Sequence, residues 1–286
     1  MSRIAYVNGR YCDQRLAEVN IEDRGYQFGD GIYEVVHLYR GKLVDADRHL
    51  GRLERSLKAI RLPSPMPMAA LRLVLREVAL RNRITEGLIY MQVTRGVAPR
   101  DHAFPKTPVP PALVVTCKRI PAYPTNIDNW TGTAITLPDL RWARVDIKTT
   151  NLLPNVLARQ LAREAGATEA ILYDKKTGMV REGAATNFWI VDADGVLRTR
   201  HLDHSVLPGC TRDALIAELK ADGIAFLEKE FTVAEARNAR EAFITSATSF
   251  VKPMVKLDGA PVGDGLVGPV SRALFDLFAR HVKGNA

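Results

Sequence analysis

Residues 4–44 allow few folds, because short β-type runs are separated there by two-residue turn signals. Asn8-Gly9 lies between the runs 4–7 and 10–12, and Arg40-Gly41 lies between 32–39 and 42–44. Asn-Gly and Xaa-Gly pairs flanked by apolar alternation are the chemistry of tight hairpins, so the N-terminal strands pair antiparallel. A helix from 45 to about 60 follows, with Asp45 as its expected cap and Leu50, Leu53, Leu57 and Ile60 as one apolar stripe, until Pro63 and Pro65 stop it. A second helix over 68–82 turns Leu71, Val74, Leu75 and Val78 inward.

Two further strands, 89–94 and 112–117, flank the stretch 95–111, which is crowded with prolines and carries Gly96. A loop of that length in a compact domain is commonly functional. Pro121 and Pro124 interrupt regular pairing between 120 and 126. This places a small N-terminal α+β domain at 1–119, a linker at 120–126 and a larger C-terminal domain at 127–286. In that second part, helices are expected at 154–165, ending on Gly166, after Pro208-Gly209, and over 269–283. Runs of strands precede runs of helices, which is an α+β pattern.

Composition excludes whole classes of function. With 47% apolar and 25% charged residues, the chain of 286 residues is that of a globular protein long enough for two cores. No apolar run has the length of a bilayer-spanning helix and the N-terminus lacks a signal-peptide core, so a cytoplasmic location with no membrane partner is expected. Cys12, Cys117 and Cys210 have no metal-ligand spacing, and reduced thiols with no metal site are expected. The formal charge of +8 is spread along the chain without a basic stripe, so no nucleic-acid partner is expected. Arg48, Arg52 and Arg55 fall on one helix and read locally as a solvated face. Rossmann glycines, a phosphate-loop GxxxxGK[ST] and HExxH are all missing.

The chemistry-bearing candidates are ambiguous one at a time. Residues 145–151, VDIKTTN, read as a β-type run that brings Lys148 to the mouth of a helix. By itself Lys148 is equally a surface lysine, since a nucleophilic lysine needs burial or a cofactor to lose its proton. Glu182 precedes Gly183 and small residues that admit a ligand, but it is also placed to finish an exposed hairpin. Leu207-Pro208-Gly209-Cys210-Thr211 opens a helix whose free N–H groups suit an anion, or only water. Arg100 and His102 are either a functional pair or a solvated one on the long loop.

Their joint order decides the matter. The segments EDRGYQFGDGIYE (22–34), QVTRG (92–96), RDH (100–102), DIK (146–148), NLL (151–153) and EG (182–183) resemble the class IV, fold type IV pyridoxal-phosphate (PLP) aminotransferases along essentially the whole chain, with bacterial D-amino-acid aminotransferases nearest. The resemblance implies an N-terminal sandwich-like domain, a C-terminal pseudo-barrel carrying the PLP lysine, and a homodimer with a shared active site. It makes Lys148 the Schiff-base lysine, which moves the proton between substrate Cα and cofactor C4′, and gives the pyridine nitrogen to Glu182. Arg52, the backbone N–H groups of Cys210 and Thr211, and Thr248 would hold the phosphate, with Leu207 on the ring face. Ala185 and Ala247 stand where relatives carry hydroxyls, which implies modestly weaker cofactor retention. Tyr33, Arg100 and His102 would take the substrate α-carboxylate, the last two reaching from the partner subunit.

The expected reaction is ping-pong transamination of a D-amino acid such as D-alanine or D-glutamate with 2-oxoglutarate or pyruvate. Rivals on the same fold are a branched-chain L-amino-acid aminotransferase and an (R)-amine transaminase. From other classes come an aminodeoxychorismate lyase and a basic binding protein without enzymatic activity.

Overall fold

The computed structural model describes residues 3–284. Contacts divide them into two compact units, 3–122 with Ile147–Asn151, and Tyr123–Asp146 with Leu152–Gly284.

The first unit is built on the expected hairpins. Strands β1 (Ile4–Val7) and β2 (Arg10–Asp13) turn at Asn8-Gly9, where both residues have positive φ, 45° and 94°. A five-residue helix α1 (Arg24–Phe28) then leads into β3 (Gly31–Tyr39), which turns at Arg40-Gly41 into β4 (Lys42–Leu43). That pair of turn residues also has positive φ, the geometry that suits the twist of an antiparallel pair. Helices α2 (Ala46–Ala59) and α3 (Met68–Arg81) follow, then β5 (Gly87–Thr94) and β6 (Ala112–Arg119). The six strands form one antiparallel sheet in the order β2-β1-β6-β5-β3-β4. Leu50, Leu53 and Leu57 of α2 and Leu71, Leu75 and Val78 of α3 pack with Val36, Leu38, Ile89, Met91 and Val93 of the sheet in one core. No regular element lies between Thr94 and Ala112, as expected of the long loop.

Two local expectations are corrected here. Asp45 does precede α2, but its φ of 51° points the backbone away from a capping geometry, and its carboxylate faces Arg48 at 3.6 Å instead. Residues 145–151 form no strand. Their backbone groups are taken by β3 and the turn before it: Tyr33 N donates to Lys148 O at 3.0 Å, Thr150 N donates to Gly31 O at 3.0 Å, and Thr149 makes a lone bridge with Ile32. The lysine segment, expected in the C-terminal domain, therefore groups with the N-terminal unit. No side chain of this segment caps the helix that follows it. Asn151 Nδ2 donates to Gly29 O at 3.3 Å, and a Cβ on Gly29 would come within 2.2 Å of the Asn151 side chain. Gly29 ends α1 at φ +66°, so this position tolerates no side chain on two independent grounds.

The second unit contains β7 (Gly132–Pro138), α4 (Leu153–Glu164), β8 (Glu169–Tyr173), β9 (Val180–Gly183), β10 (Asn187–Val191) and β11 (Leu197–Thr199). It continues with α5 (Cys210–Ala221), β12 (Leu227–Glu228), α6 (Val233–Arg237), β13 (Glu241–Ser246), β14 (Phe250–Leu257), β15 (Ala260–Pro261) and α7 (Pro269–Gly284). Its mixed sheet runs β12-β11-β10-β13-β14-β7-β8-β9, with β15 on β14. The sheet curls until β9, its last strand, comes back beside β10, which makes the expected pseudo-barrel. Phe188, Ile190, Ile171, Ile244, Phe231 and Met254 fill one of its apolar clusters. Among the described residues no helix is long and apolar enough to cross a membrane.

Candidate active site

In the first unit, Lys148 leaves the main chain beside β3 and brings its Nζ over the ring of Tyr33, 4.2 Å from the centroid. Tyr33 stacks on Tyr90 with centroids 5.7 Å apart, and Tyr90 Oη donates to Gln92 Oε1 at 2.7 Å. Burial, with Tyr33 beside it, pushes the Tyr90 hydroxyl up to about 12, so it stays a donor at any physiological pH. Among the described residues no hydrogen bond or ion pair claims the Lys148 amine. An amine resting on a ring with no carboxylate partner is free for covalent chemistry, which its backbone anchoring on β3 would direct.

Arg52 overturns its local reading as part of a solvated face. It is buried, and its Nε and Nη2 donate to the two carboxylate oxygens of Glu34 at 2.7 and 2.8 Å. His49 Nδ1 lies 2.8 Å from the same carboxylate. Burial works against the charge on Glu34, but Arg52 and His49 hold its carboxyl down at about 2. Neither Glu34 nor His49 was assigned a role from the sequence. Glu34 stands on β3 and Arg52 on α2, eighteen positions apart, so only the packing of that helix on that strand reveals the pair.

Arg100 and His102 are exposed on the long loop, close to one aromatic ring. The Arg100 guanidinium lies 4.6 Å from the Phe28 centroid, and the His102 ring centroid is 5.5 Å from it. Within this unit the sequence-expected Tyr33 and Lys148 are thus in contact.

In the second unit, Glu182 is buried near the end of β9, not exposed on a hairpin. Its carboxylate accepts from Arg141 Nη1 at 2.6 Å, from Asn187 Nδ2 at 2.9 Å and from Leu207 N at 3.2 Å. Burial pushes the Glu182 carboxyl up, against the opposing pull of Arg141. Burial also disfavours the Arg141 charge, but Glu182 and Asp139 together hold its proton more tightly than usual. Asp139 fixes that guanidinium from behind, through Nε at 3.0 Å and Nη2 at 2.8 Å. Arg141 and Asn187 were missed in the sequence. The two-residue spacing of Asp139 and Arg141 was the available signal, and it has no periodic signature.

Asn187 links Glu182 to the start of α5, because its Nδ2 also donates to Leu207 O at 2.9 Å. Gly209, the residue before α5, offers no side-chain cap, and a Cβ there would lie 1.9 Å from Asn187 Oδ1. The first-turn N–H groups of Cys210 and Thr211 therefore start a twelve-residue helix with no side chain closing it, which suits an anionic group. Thr248 is exposed in the β13–β14 turn, with its hydroxyl 3.0 Å from that of Ser246.

The amino-transferase class IV family matches residues 31–257 of the chain. A D-alanine aminotransferase of Staphylococcus haemolyticus is 40% identical over 281 residues, covering 98% of both chains. One from Listeria monocytogenes is 41% identical over 278 residues, 96% of this chain and 95% of that one. The chain is a class IV aminotransferase.

Solved structures agree with the fold. The branched-chain amino acid aminotransferase of Escherichia coli superposes with a TM-score of 0.87 at 25% identity, covering 100% of this chain and 96% of that one. A second branched-chain enzyme, from T.th. and solved with pyridoxamine 5′-phosphate, gives 0.89 at 25% identity over the same shares. This aminotransferase has the fold of type IV and depends on PLP, as its family does. Each unit carries residues of the kind that group needs: an unclaimed amine at Lys148 in the first, and a buried carboxylate at Glu182 and an open helix start at Cys210 and Thr211 in the second.

Proposed function

We propose that this aminotransferase exchanges the amino group of a D-amino acid, of the D-alanine or D-glutamate type, with 2-oxoglutarate or pyruvate in a ping-pong reaction. The observation that carries this reading is 40% identity to D-alanine aminotransferases along 98% of both chains. PLP, when bound, supplies the electron sink that makes the substrate Cα–H acidic.

The residues divide the remaining work. Lys148, with the Tyr33 ring below its amine, would be the residue that holds the cofactor and that moves the proton at the substrate Cα. Glu182, steadied by Arg141, Asn187 and the Leu207 amide, would hold the proton on the pyridine nitrogen. The N–H groups of Cys210 and Thr211 would hold the phosphate, joined by Arg52 and Thr248, and Leu207 would pack on the ring. Tyr33, Arg100 and His102 take the α-carboxylate. A guanidinium grips a carboxylate through two parallel hydrogen bonds, which fixes the face of Cα presented to the amine of Lys148. Arg100 and His102 serve the site of a partner subunit in a homodimer. In support, α4 exposes Leu153, Val156, Leu157 and Leu161 as an apolar stripe such as a second copy covers.

The deciding experiment titrates the PLP-loaded enzyme with D-alanine and L-alanine separately while following the visible band of the bound cofactor. Bleaching by D-alanine is expected, and bleaching by L-alanine alone overturns the assigned handedness. The likeness to branched-chain aminotransferase structures motivates a second arm with L-leucine. Pyruvate released over many turnovers per site with no keto acid present would indicate elimination, since transfer without an acceptor stops at one equivalent per site.

A further inference from the structure

The loop that carries Arg100 and His102 has no regular structure, but it is held at several points. Arg24 is buried in α1, and its Nη1 donates to Asp101 O at 2.6 Å and its Nη2 to His102 O at 3.4 Å. Its Nε donates to Asp30 Oδ2 at 2.9 Å. Arg95 grips the same carboxylate through two nitrogens, at 2.7 and 3.0 Å, and donates to the carbonyls of Ile60 and Arg61 at 2.8 and 3.1 Å. Phe104, at the far side of the loop, lies under the Arg95 guanidinium at 3.7 Å. These contacts fix the loop's backbone. The exposed side chains of Arg100 and His102 then have one shared apolar partner, the half-buried ring of Phe28.

We propose that Phe28 is a positioning residue for carboxylate recognition, its ring setting the Arg100 guanidinium and the His102 imidazole side by side above a backbone that Arg24 anchors. The inference rests on the reading of Arg100 and His102 as the carboxylate-binding pair. An exposed arginine has many rotamers, and binding must select the few that present its fork to the substrate. A guanidinium resting on a ring face has already lost most of them, so the selection is made before the substrate arrives. Phe28 touches no reacting atom in this scheme, and besides Arg100 and His102 its ring meets the Arg24 guanidinium at 4.8 Å, the same group that holds the loop's backbone.

The test is a double-mutant cycle on the PLP-loaded enzyme with D-alanine as donor. Phe28→Leu is expected to raise KM by about two- to fivefold, the strength of one exposed cation–ring contact, with kcat within about twofold of wild type. Phe28→Tyr keeps the ring and is expected to keep the wild-type KM. In an Arg100→Ala background, Phe28→Leu is expected to raise KM less than it does alone, because only the His102 contact is left to lose. Should Phe28→Leu yield no folded holoenzyme, Phe28→Met keeps the volume without the ring and is read the same way. The inference is overturned if Arg100→Ala raises KM but Phe28→Leu does not, or if Phe28→Leu raises KM equally in both backgrounds. If Arg100→Ala itself leaves KM unchanged, the carboxylate reading fails and this inference fails with it.

Discussion

The amide of Tyr33 donates to the carbonyl of Lys148 across 3.0 Å, and the Tyr33 ring lies 4.2 Å below the lysine's own Nζ. Strand β3 thus fixes both ends of the residue proposed to do the chemistry. Lys148→Ala is expected to lower transaminase turnover by more than about a hundredfold, the lower range for losing a positioned proton-transfer group. Lys148→Arg restores the charge but no usable nucleophile, and is expected to be equally inactive. Both variants are checked by steady-state rates and by the cofactor's visible spectrum. Wild-type turnover in either variant would remove Lys148 from the mechanism.

Glu182 carries a charge that three donors stabilise. Glu182→Gln keeps the shape and loses that charge. Turnover is expected to fall about ten- to a hundredfold, the scale of one hydrogen bond to a charged group. Cofactor retention through gel filtration should change far less if, as proposed, other residues hold the phosphate. Equal loss of both would assign Glu182 to binding alone.

Gly209 has no room for a methyl group beside Asn187. Gly209→Ala must push the Asn187 amide away from Glu182 and Leu207 or shift the start of α5. A loss of about 1–3 kcal/mol is expected from such overpacking. It should appear as a lower unfolding midpoint together with a raised dissociation constant for PLP. An unchanged midpoint and unchanged PLP affinity would show that the turn relaxes freely.

The Glu34 carboxyl sits at about 2 in the fold, below its ordinary 4.5. The folded state then binds fewer protons than the unfolded one between those values. The contribution of Glu34 to stability is present in full above about pH 4.5 and is lost as pH falls towards 2. Its size is on the order of 3 kcal/mol. Glu34→Gln is expected to be less stable than wild type at pH 7, since Arg52 is left buried beside a neutral amide. The gap between the two should narrow as pH drops from about 5 to 3, measured by urea unfolding at each pH. A constant gap would mean that the Glu34 carboxyl takes up its proton over the same pH range in the folded and unfolded chains.

The legible parts of the sequence were those whose signal is local. Asn8-Gly9 and Arg40-Gly41 announced hairpins because positive φ at both turn positions is a demand on residue type. The stripe of Leu50, Leu53 and Leu57 announced α2 because a helix buries one face. What escaped was every partnership across elements. Arg52 looked solvated because a helical wheel cannot show that Glu34 waits on the neighbouring strand. Arg141 and Asn187 went unnoticed because their common target, Glu182, lies 41 and 5 positions away on no shared periodicity. Residues 145–151 looked like a strand from their β-branched side chains, but tertiary hydrogen bonds to β3 determined their backbone. The order of the motifs revealed the family, whereas the networks that tune the site had to be seen folded.

The five residues Ile147–Asn151 belong to the N-terminal unit although they lie far past its last strand in sequence. No single cut can therefore separate the two units intact. A fragment ending at Ala122 would leave Tyr33 N and Gly31 O without the bonds they make to Lys148 and Thr150, and would leave the Lys148 amine on the other piece. Swapping one half with a homologue's at the proline-rich junction would join a β3 from one ancestor to a lysine segment from another. The halves are bound to change together, and a chimera that works should carry its own residues 147–151 along with its first 122.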